Sequence, residues 1–100
     1  MKTPEKKLSE KFSRFAAKKG WLILKLQLIA EGGFPDVMVV MPGGRIFFIE
    51  FKKPSKKSAA RMLESRQVVV GEKLRSLGAT VYTLNSWEDI LEVVQHEDGI

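Results

Sequence analysis

Three residues in one short stretch have types and spacing that could do chemistry. In "GFPDVMVVMPGGRIFFIEFKKP", Gly33 to Pro54, two apolar β-rich runs carry Asp36, Glu50 and Lys52. Charges are costly in a half-buried sheet unless something pairs with them. Pro42-Gly43-Gly44 between the runs reads as a hairpin turn. If it is a three-residue loop, Met41 pairs with Arg45, and counting outward sets Asp36 opposite Glu50. Directly opposed residues share a face with Cβ atoms ~5 Å apart, and Lys52, two beyond Glu50, lies on that face as well. A one-residue slip dissolves the constellation, although a bulge could restore it.

Two carboxylates that close share a proton unless a cation sits between them. An oxygen-only site of two acids and a backbone carbonyl suits Mg²⁺ or Mn²⁺. A fixed lysine beside it could hold an attacking water or stabilise charge building on a phosphate. Metal, lysine and a basic rim together suit phosphodiester hydrolysis. The same short pattern also suits a bland arrangement, with Asp36 capping the turn after Pro35 and Glu50 and Lys52 forming a surface pair.

The elements that must position these residues follow from periodicity. Residues 3–19 predict an amphipathic helix with Leu8, Phe12, Phe15, Ala16 and the stem of Lys19 on one stripe, stopped by Gly20. At about 100° per residue, Glu5 falls within that stripe and Glu10 on the far side with the lysines. An inward acid near a helix start is either a dipole partner or a further metal ligand. Trp21 to Ile29 predicts a strand with Leu22, Leu24, Leu26 and Leu28 on one face and Lys25 and Gln27 on the other. A loop over residues 30–35 follows, then strands over 36–41 and 45–52. A polar loop over 53–58 leads to a second helix over 59–77, ended by Gly78, then a strand over 79–84. Ser86, three residues before Asp89, starts a last helix through about Val94. The order α-β-β-β-α-β-α predicts an α/β fold, a mixed sheet flanked by helices, in a single domain over residues 1–100. The helix between the third and fourth strands is expected to cross over and join parallel neighbours.

Composition narrows the function classes. A chain of 100 residues that is 44% hydrophobic supports one thin core, and thin cores gain from association. Trp21, Phe34, Phe47 and Trp87 are richer than such a core needs, so most of that cluster is expected in the core and part of it at an interface. The absence of cysteine excludes disulfides and thiolate metal sites. The longest apolar run, Trp21 to Leu24, is far too short to span a membrane. With no signal-peptide pattern, a soluble, cytoplasmic protein is expected, with no membrane and no small-molecule cofactor. Residues 1–61 hold 14 Lys/Arg against 5 Asp/Glu, a net +9, whereas residues 62–100 hold 3 against 7, a net −4. The basic residues gather on the first helix and on Lys52, Lys53, Lys56 and Lys57, with Arg61 just beyond. That footprint is either a solvated lysine surface or a site for a polyanion, most simply nucleic acid.

Pro35-Asp36 followed by Glu50-Phe51-Lys52 resembles the PD-(D/E)XK nuclease signature. The fuller string resembles one branch of it, the virus-type replication-repair nuclease (VRR-NUC) domain. Glu5, Gly33-Phe34-Pro35-Asp36, Glu50-Phe51-Lys52, Gln67 and "LRSLGATVYTLNSWEDI" occur in that family's order over nearly the whole chain. The resemblance implies a restriction-endonuclease-like core in which Asp36, Glu50 and the Phe51 carbonyl bind Mg²⁺ or Mn²⁺ and Lys52 orients the water. Glu5, or Glu10 in its place, would complete the metal shell, and Gln67 would brace the site. Lys25 would face DNA, or be a plain exposed strand lysine, while Lys53, Lys56, Lys57 and Arg61 form the basic rim. A chain this short resembles the minimal viral and prophage members, which implies a homodimeric Holliday-junction resolvase acting on branched DNA. In a virus or prophage it would work in the host bacterial cytoplasm. Flaps, forks or single strands are alternative substrates, and a non-catalytic DNA-binding module on the same fold is the remaining alternative.

Overall fold

In the computed structural model, residues 2–26 and 32–98 are described. The elements in order are α1 (Pro4–Lys18), β1 (Leu22–Lys25), β2 (Val37–Val40), β3 (Ile46–Phe51), α2 (Ser65–Ser76), β4 (Val81–Leu84) and α3 (Trp87–Glu97). Short 3-10 turns occupy Pro42–Gly44 and Ala59–Met62.

Helix α1 forms because its start is capped and one stripe is apolar. The Lys6 N–H donates to the Thr3 hydroxyl at 3.2 Å, Pro4 opens the first turn and Glu5 favours the positive end of the helix dipole. Leu8, Phe12 and Ala16 are buried. Gly20 ends it at φ +77°, a left-handed conformation suited to glycine.

The sheet order is β1-β2-β3-β4, with β1–β2 and β2–β3 antiparallel and β3–β4 parallel. The register is the one a three-residue loop predicts: Met41 N–H donates to Arg45 O at 2.8 Å, and Val37 stands opposite Ile49. The turn takes Gly43 and Gly44 to φ +86° and +78°, where a side chain would be strained.

One sheet face carries Val37, Val39, Phe47, Ile49, Phe51 and Leu84, and these pack with α1 and α3 through Leu8, Phe12, Ala16, Ile90 and Val94. Trp21 and Phe47 belong to this core, with Trp87 packed against it. The other face carries Glu50, Val81 and Thr83 beneath α2. That face is open over β1 and the start of β3, where Leu22, Leu24 and Ile46 are 56%, 40% and 47% exposed.

Several expected boundaries change. The first strand is Leu22–Lys25, and the part of it predicted beyond residue 26 lies outside the described residues. Its inward side is Trp21 and Ile23 rather than Leu22 and Leu24. Both sets are apolar, and the tight return through Gly20 turns Trp21 toward α1. The helix predicted over 59–77 is broken: Leu63 and Glu64 are extended, and α2 starts at Ser65. The last helix runs on to Glu97 because Val94 and Glu97 are buried.

Candidate active site

Asp36 and Glu50 meet at the open end of the β2–β3 hairpin. Continuing the register one step beyond Val37↔Ile49 sets them opposite each other. Asp36 is fixed by the strand beside it, its Oδ2 accepting the Phe51 N–H at 2.8 Å. Its approach is set by Gly33, which takes φ +92°, and a Cβ there would lie 2.5 Å from the Arg66 carbonyl oxygen. Only glycine lets the Gly33–Asp36 segment lie against α2 this closely.

Glu50 is buried, 6% exposed, in a crevice shared with Gln67, Gly71, Arg75 and Thr83. Burial first, and then the charge of Asp36 and a hydrogen bond with it, push the Glu50 carboxyl up to about 8. Lys52 pulls it down and Glu64 adds to the rise. Burial and the facing acid therefore favour one proton on the pair at neutral pH.

Asp36 also borders a second opening, a cleft of about 260 Å³ between α1 and the strand ends. Glu5, Lys6, Ser9 and Glu10 line it from α1, Lys25 from the end of β1, and Val37 and Phe51 from the sheet. Glu5 thus reaches the same opening as Asp36 and the Phe51 backbone. Glu10 does not lie on the far side as its helical angle predicted: it borders the cleft too, tied to Lys2 at 2.6 Å. That ion pair holds the Glu10 carboxyl below its ordinary range.

Gln67 has local work at the start of α2. Its Oε1 accepts the Glu64 N–H at 3.0 Å, while the Glu64 side chain accepts the Gln67 N–H. This capping box orients Gln67 as it enters the Glu50 crevice. Sequence reasoning overlooked Glu64, because a glutamate is not among the usual N-cap residues. It also overlooked Asn85, which is buried and donates to the Lys57 carbonyl at 3.1 Å. With Lys52 N–H bound to Leu84 O at 2.8 Å, this pins the basic loop after β3 to the end of β4. Lys53, Lys56, Lys57 and Arg61 are exposed, and Lys52 is half-buried on the same strand face as Glu50.

The donor set suits a hard divalent cation: two carboxylates facing each other, one retaining a proton that a cation would displace, with backbone oxygen nearby. Among the described residues, no three acids or histidines are grouped closely enough to hold a metal by themselves. Two side-chain carboxylates with carbonyl and water oxygens are the composition Mg²⁺ accepts.

No family model matches the chain, and no curated protein matches it. Among solved structures, one described as a "VRR_NUC domain" superposes with a TM-score of 0.83 at 26% sequence identity. The match covers 95% of this chain and 98% of that one. With its α-β-β-β-α-β-α order, mixed four-stranded sheet and Asp36–Glu50 corner, this chain has the fold of a VRR-NUC domain.

Proposed function

We propose that this protein is a divalent-metal-dependent DNA endonuclease of the PD-(D/E)XK type, acting as a homodimer on branched DNA, foremost on four-way (Holliday) junctions. The likeness to a VRR-NUC domain supports a hydrolytic nuclease. The observation that carries the reading is the cross-strand carboxylate pair, with half-buried Asp36 opposite buried Glu50 at the open end of the hairpin and Lys52 beside them.

In this reading Asp36, Glu50 and the Phe51 carbonyl hold Mg²⁺ or Mn²⁺, with Glu5 reaching it from α1. The bound ion supplies Lewis-acid activation of the phosphate and lowers the pKa of water. Lys52 holds the attacking water and offsets charge on the phosphorane-like transition state. The water oxygen bonds to phosphorus as one P–O ester bond breaks; the proton the water loses passes to solvent, and the departing sugar oxygen takes one up from solvent. Asp36 keeps its orientation through the Phe51 N–H. Gln67, set by the capping box, braces Glu50 from α2. Lys53, Lys56, Lys57 and Arg61 grip phosphates flanking the cut, which makes binding strongly salt-dependent.

Dimerisation draws support from the uncovered apolar surface: Leu22, Leu24 and Ile46 on the sheet, with Val69 on α2 and Leu77 at its C-cap at 68% and 73% exposure. Two sites related by a two-fold axis suit symmetric cutting of two strands. The test is a panel of end-labelled four-way junctions, flaps, forks, single strands and duplex, incubated with Mg²⁺ or Mn²⁺, beside light scattering for mass. Preferred junction cleavage by a dimer is expected. Flap or single-strand preference reassigns the substrate, and binding without cleavage of any DNA reduces the protein to a binding module.

A further inference from the structure

The outer face of α1 takes no part in the chemistry above. At about 100° per residue, Lys7, Lys11, Arg14 and Lys18 fall within about 60° of one another. All four are exposed, turned away from the buried Leu8, Phe12 and Ala16. At a rise of about 1.5 Å per residue the row is about 16 Å long.

Helix α1 sorts its cations. Lys2 and Lys19, off the row, are each held by an acid, Glu10 at 2.6 Å and Asp98 at 2.8 Å. Among the described residues, no carboxylate forms an ion pair with the four in the row. Glu10, the acid closest to the row on α1, is taken by Lys2, and Arg14 is a minor influence on it. The spacing is also unfavourable for a helix by itself. Lys7 and Lys11, Lys11 and Arg14, and Arg14 and Lys18 are three or four residues apart, and like charges so placed repel. Lys11 is steadied without an acid, its Nζ lying 4.3 Å from the centroid of the Trp87 ring. Helix α3, packed on α1 through Trp87 and Phe15, exposes Glu88, Asp89 and Glu92. None of these bridges to the row.

The position of the row selects its occupant. Lys6, Ser9 and Glu10, on the first turns of α1, line the cleft with Asp36 and Phe51. A polyanion bound for cutting at Asp36 and Glu50 therefore meets the Lys7 end of the row. Duplex DNA carries one phosphate per ~3.4 Å of axis on each strand, so the row matches about five successive base pairs. An anionic membrane would call for large apolar side chains between the cations, and none of the exposed large apolar residues lies on α1.

We propose that Lys7, Lys11, Arg14 and Lys18 form a sequence-independent seat for the phosphate backbone of duplex DNA leading away from the cut. The inference rests on the nuclease reading and deepens it, because α1 then holds substrate alongside the basic loop after β3.

The test measures binding apart from cleavage. The full chain, Lys7→Gln/Lys11→Gln and the off-row control Lys19→Gln/Lys73→Gln are titrated in EDTA with a labelled four-way junction and a labelled duplex, over a range of NaCl. The two variants lose the same net charge. The row variant should bind at least tenfold more weakly, and its slope of log affinity against log salt should fall by about 1.8, two phosphate contacts. The control should stay within threefold. Adding Arg14→Gln and Lys18→Gln should double the fall in slope. Glutamine keeps helix propensity and relieves the repulsion, so the melting temperature of each row variant should hold or rise. Phosphate-ethylation interference should show one block of about five base pairs that matters to wild type and not to the fourfold variant. Equal losses in row variant and control, or an unchanged salt slope, overturn the seat and leave the nuclease reading standing. So does retention on phosphatidylserine vesicles that the row variant loses while its DNA affinity stays intact. Failure of wild type to cut any junction, flap or single strand with Mg²⁺ or Mn²⁺ overturns the nuclease reading instead, and the EDTA titrations are read independently of it.

Discussion

Two acids in this small protein are buried to nearly the same degree, Glu50 at 6% exposure and Glu97 at 7%, and the fold treats them in opposite ways. Glu97, in the last turn of α3, receives Arg45 at 2.9 Å and the Tyr82 hydroxyl. Its charge is matched and its oxygens are satisfied. The cost falls on Tyr82, whose hydroxyl is pushed up to about 12 by burial and by the carboxylate it serves. Glu50, at the open end of the hairpin, faces another carboxylate across the strands, and burial first and then the Asp36 charge push its carboxyl up to about 8. A buried acid with a built partner is part of the structure. A buried acid set against its like has a proton that depends on what lies around it.

Breaking the unmatched end should have the largest effect on activity and little on folding. Asp36→Asn or Glu50→Gln is expected to lower Mg²⁺-dependent cleavage to about one-thousandth or below, about 4 kcal/mol of transition-state stabilisation. The melting temperature should hold or rise, since each swap keeps the shape and removes an ionisation that burial and the facing acid penalise. Retention of a tenth of wild-type rate by either variant would remove that residue from the metal site.

The matched end should respond the other way. Glu97→Ala strands the Tyr82 hydroxyl and loosens Arg45, a loss of about 2 kcal/mol for hydrogen bonds to a charged group. In a 100-residue domain that lowers the melting temperature by about 10 °C, while the cleavage rate per folded molecule stays unchanged. A chemical-denaturation curve and an active-fraction assay, run together, separate the two.

The acids of α1 sharpen the comparison further. Glu10 is neutralised by Lys2, whereas Glu5 borders the cleft with Asp36 and Phe51. Glu5→Gln is expected to slow cleavage about tenfold, near 1.4 kcal/mol, with partial rescue by higher Mg²⁺ or by Mn²⁺. Glu10→Gln should stay within twofold. Rates for both variants across a metal titration decide the assignment, and reversal of the order would move the third carboxylate to Glu10.

The smallest effect is on stability against pH. Glu50 titrates near 8 in the folded chain, against an ordinary value of 4.5. The folded state therefore holds a proton that the unfolded state has released. Its stabilising contribution is complete below about 4.5 and is lost as pH rises through about 8. In EDTA, wild type should lose a few degrees relative to Glu50→Gln between about pH 5 and pH 9, and Mn²⁺ affinity should climb over the same window. A wild-type-minus-variant difference that is flat with pH, or of opposite sign, contradicts the raised Glu50.

Legibility in the sequence followed the range of the interactions concerned. The hairpin register was readable because two glycines and a proline fix the loop, and a period of two then carries the register outward to Asp36 and Glu50. The inward face of β1 was not readable, since Trp21 and Ile23 compete with Leu22 and Leu24, all apolar. The break before α2 was not readable, since a glutamate at the N-cap carries no signature. It was masked by the helix formers upstream, Ala59, Ala60 and Met62, which the structure holds in a 3-10 turn.

By itself the sequence determined which residues could meet across the hairpin, where α1 and α3 are capped, and that basic charge follows β3. These depend on contacts a few residues apart, or on strand periodicity, and chain geometry alone dictates them. Tertiary structure decided what those residues experience. Gly33 against Arg66 and Gln67 beside Glu50 join residues 33 and 17 apart, and α1 lines one cleft with the end of β1. Only there do burial and neighbouring charge set the Glu50 proton and open a cleft beside Asp36. Electrostatic environment is a property of everything packed around a group, and no local spacing encodes it.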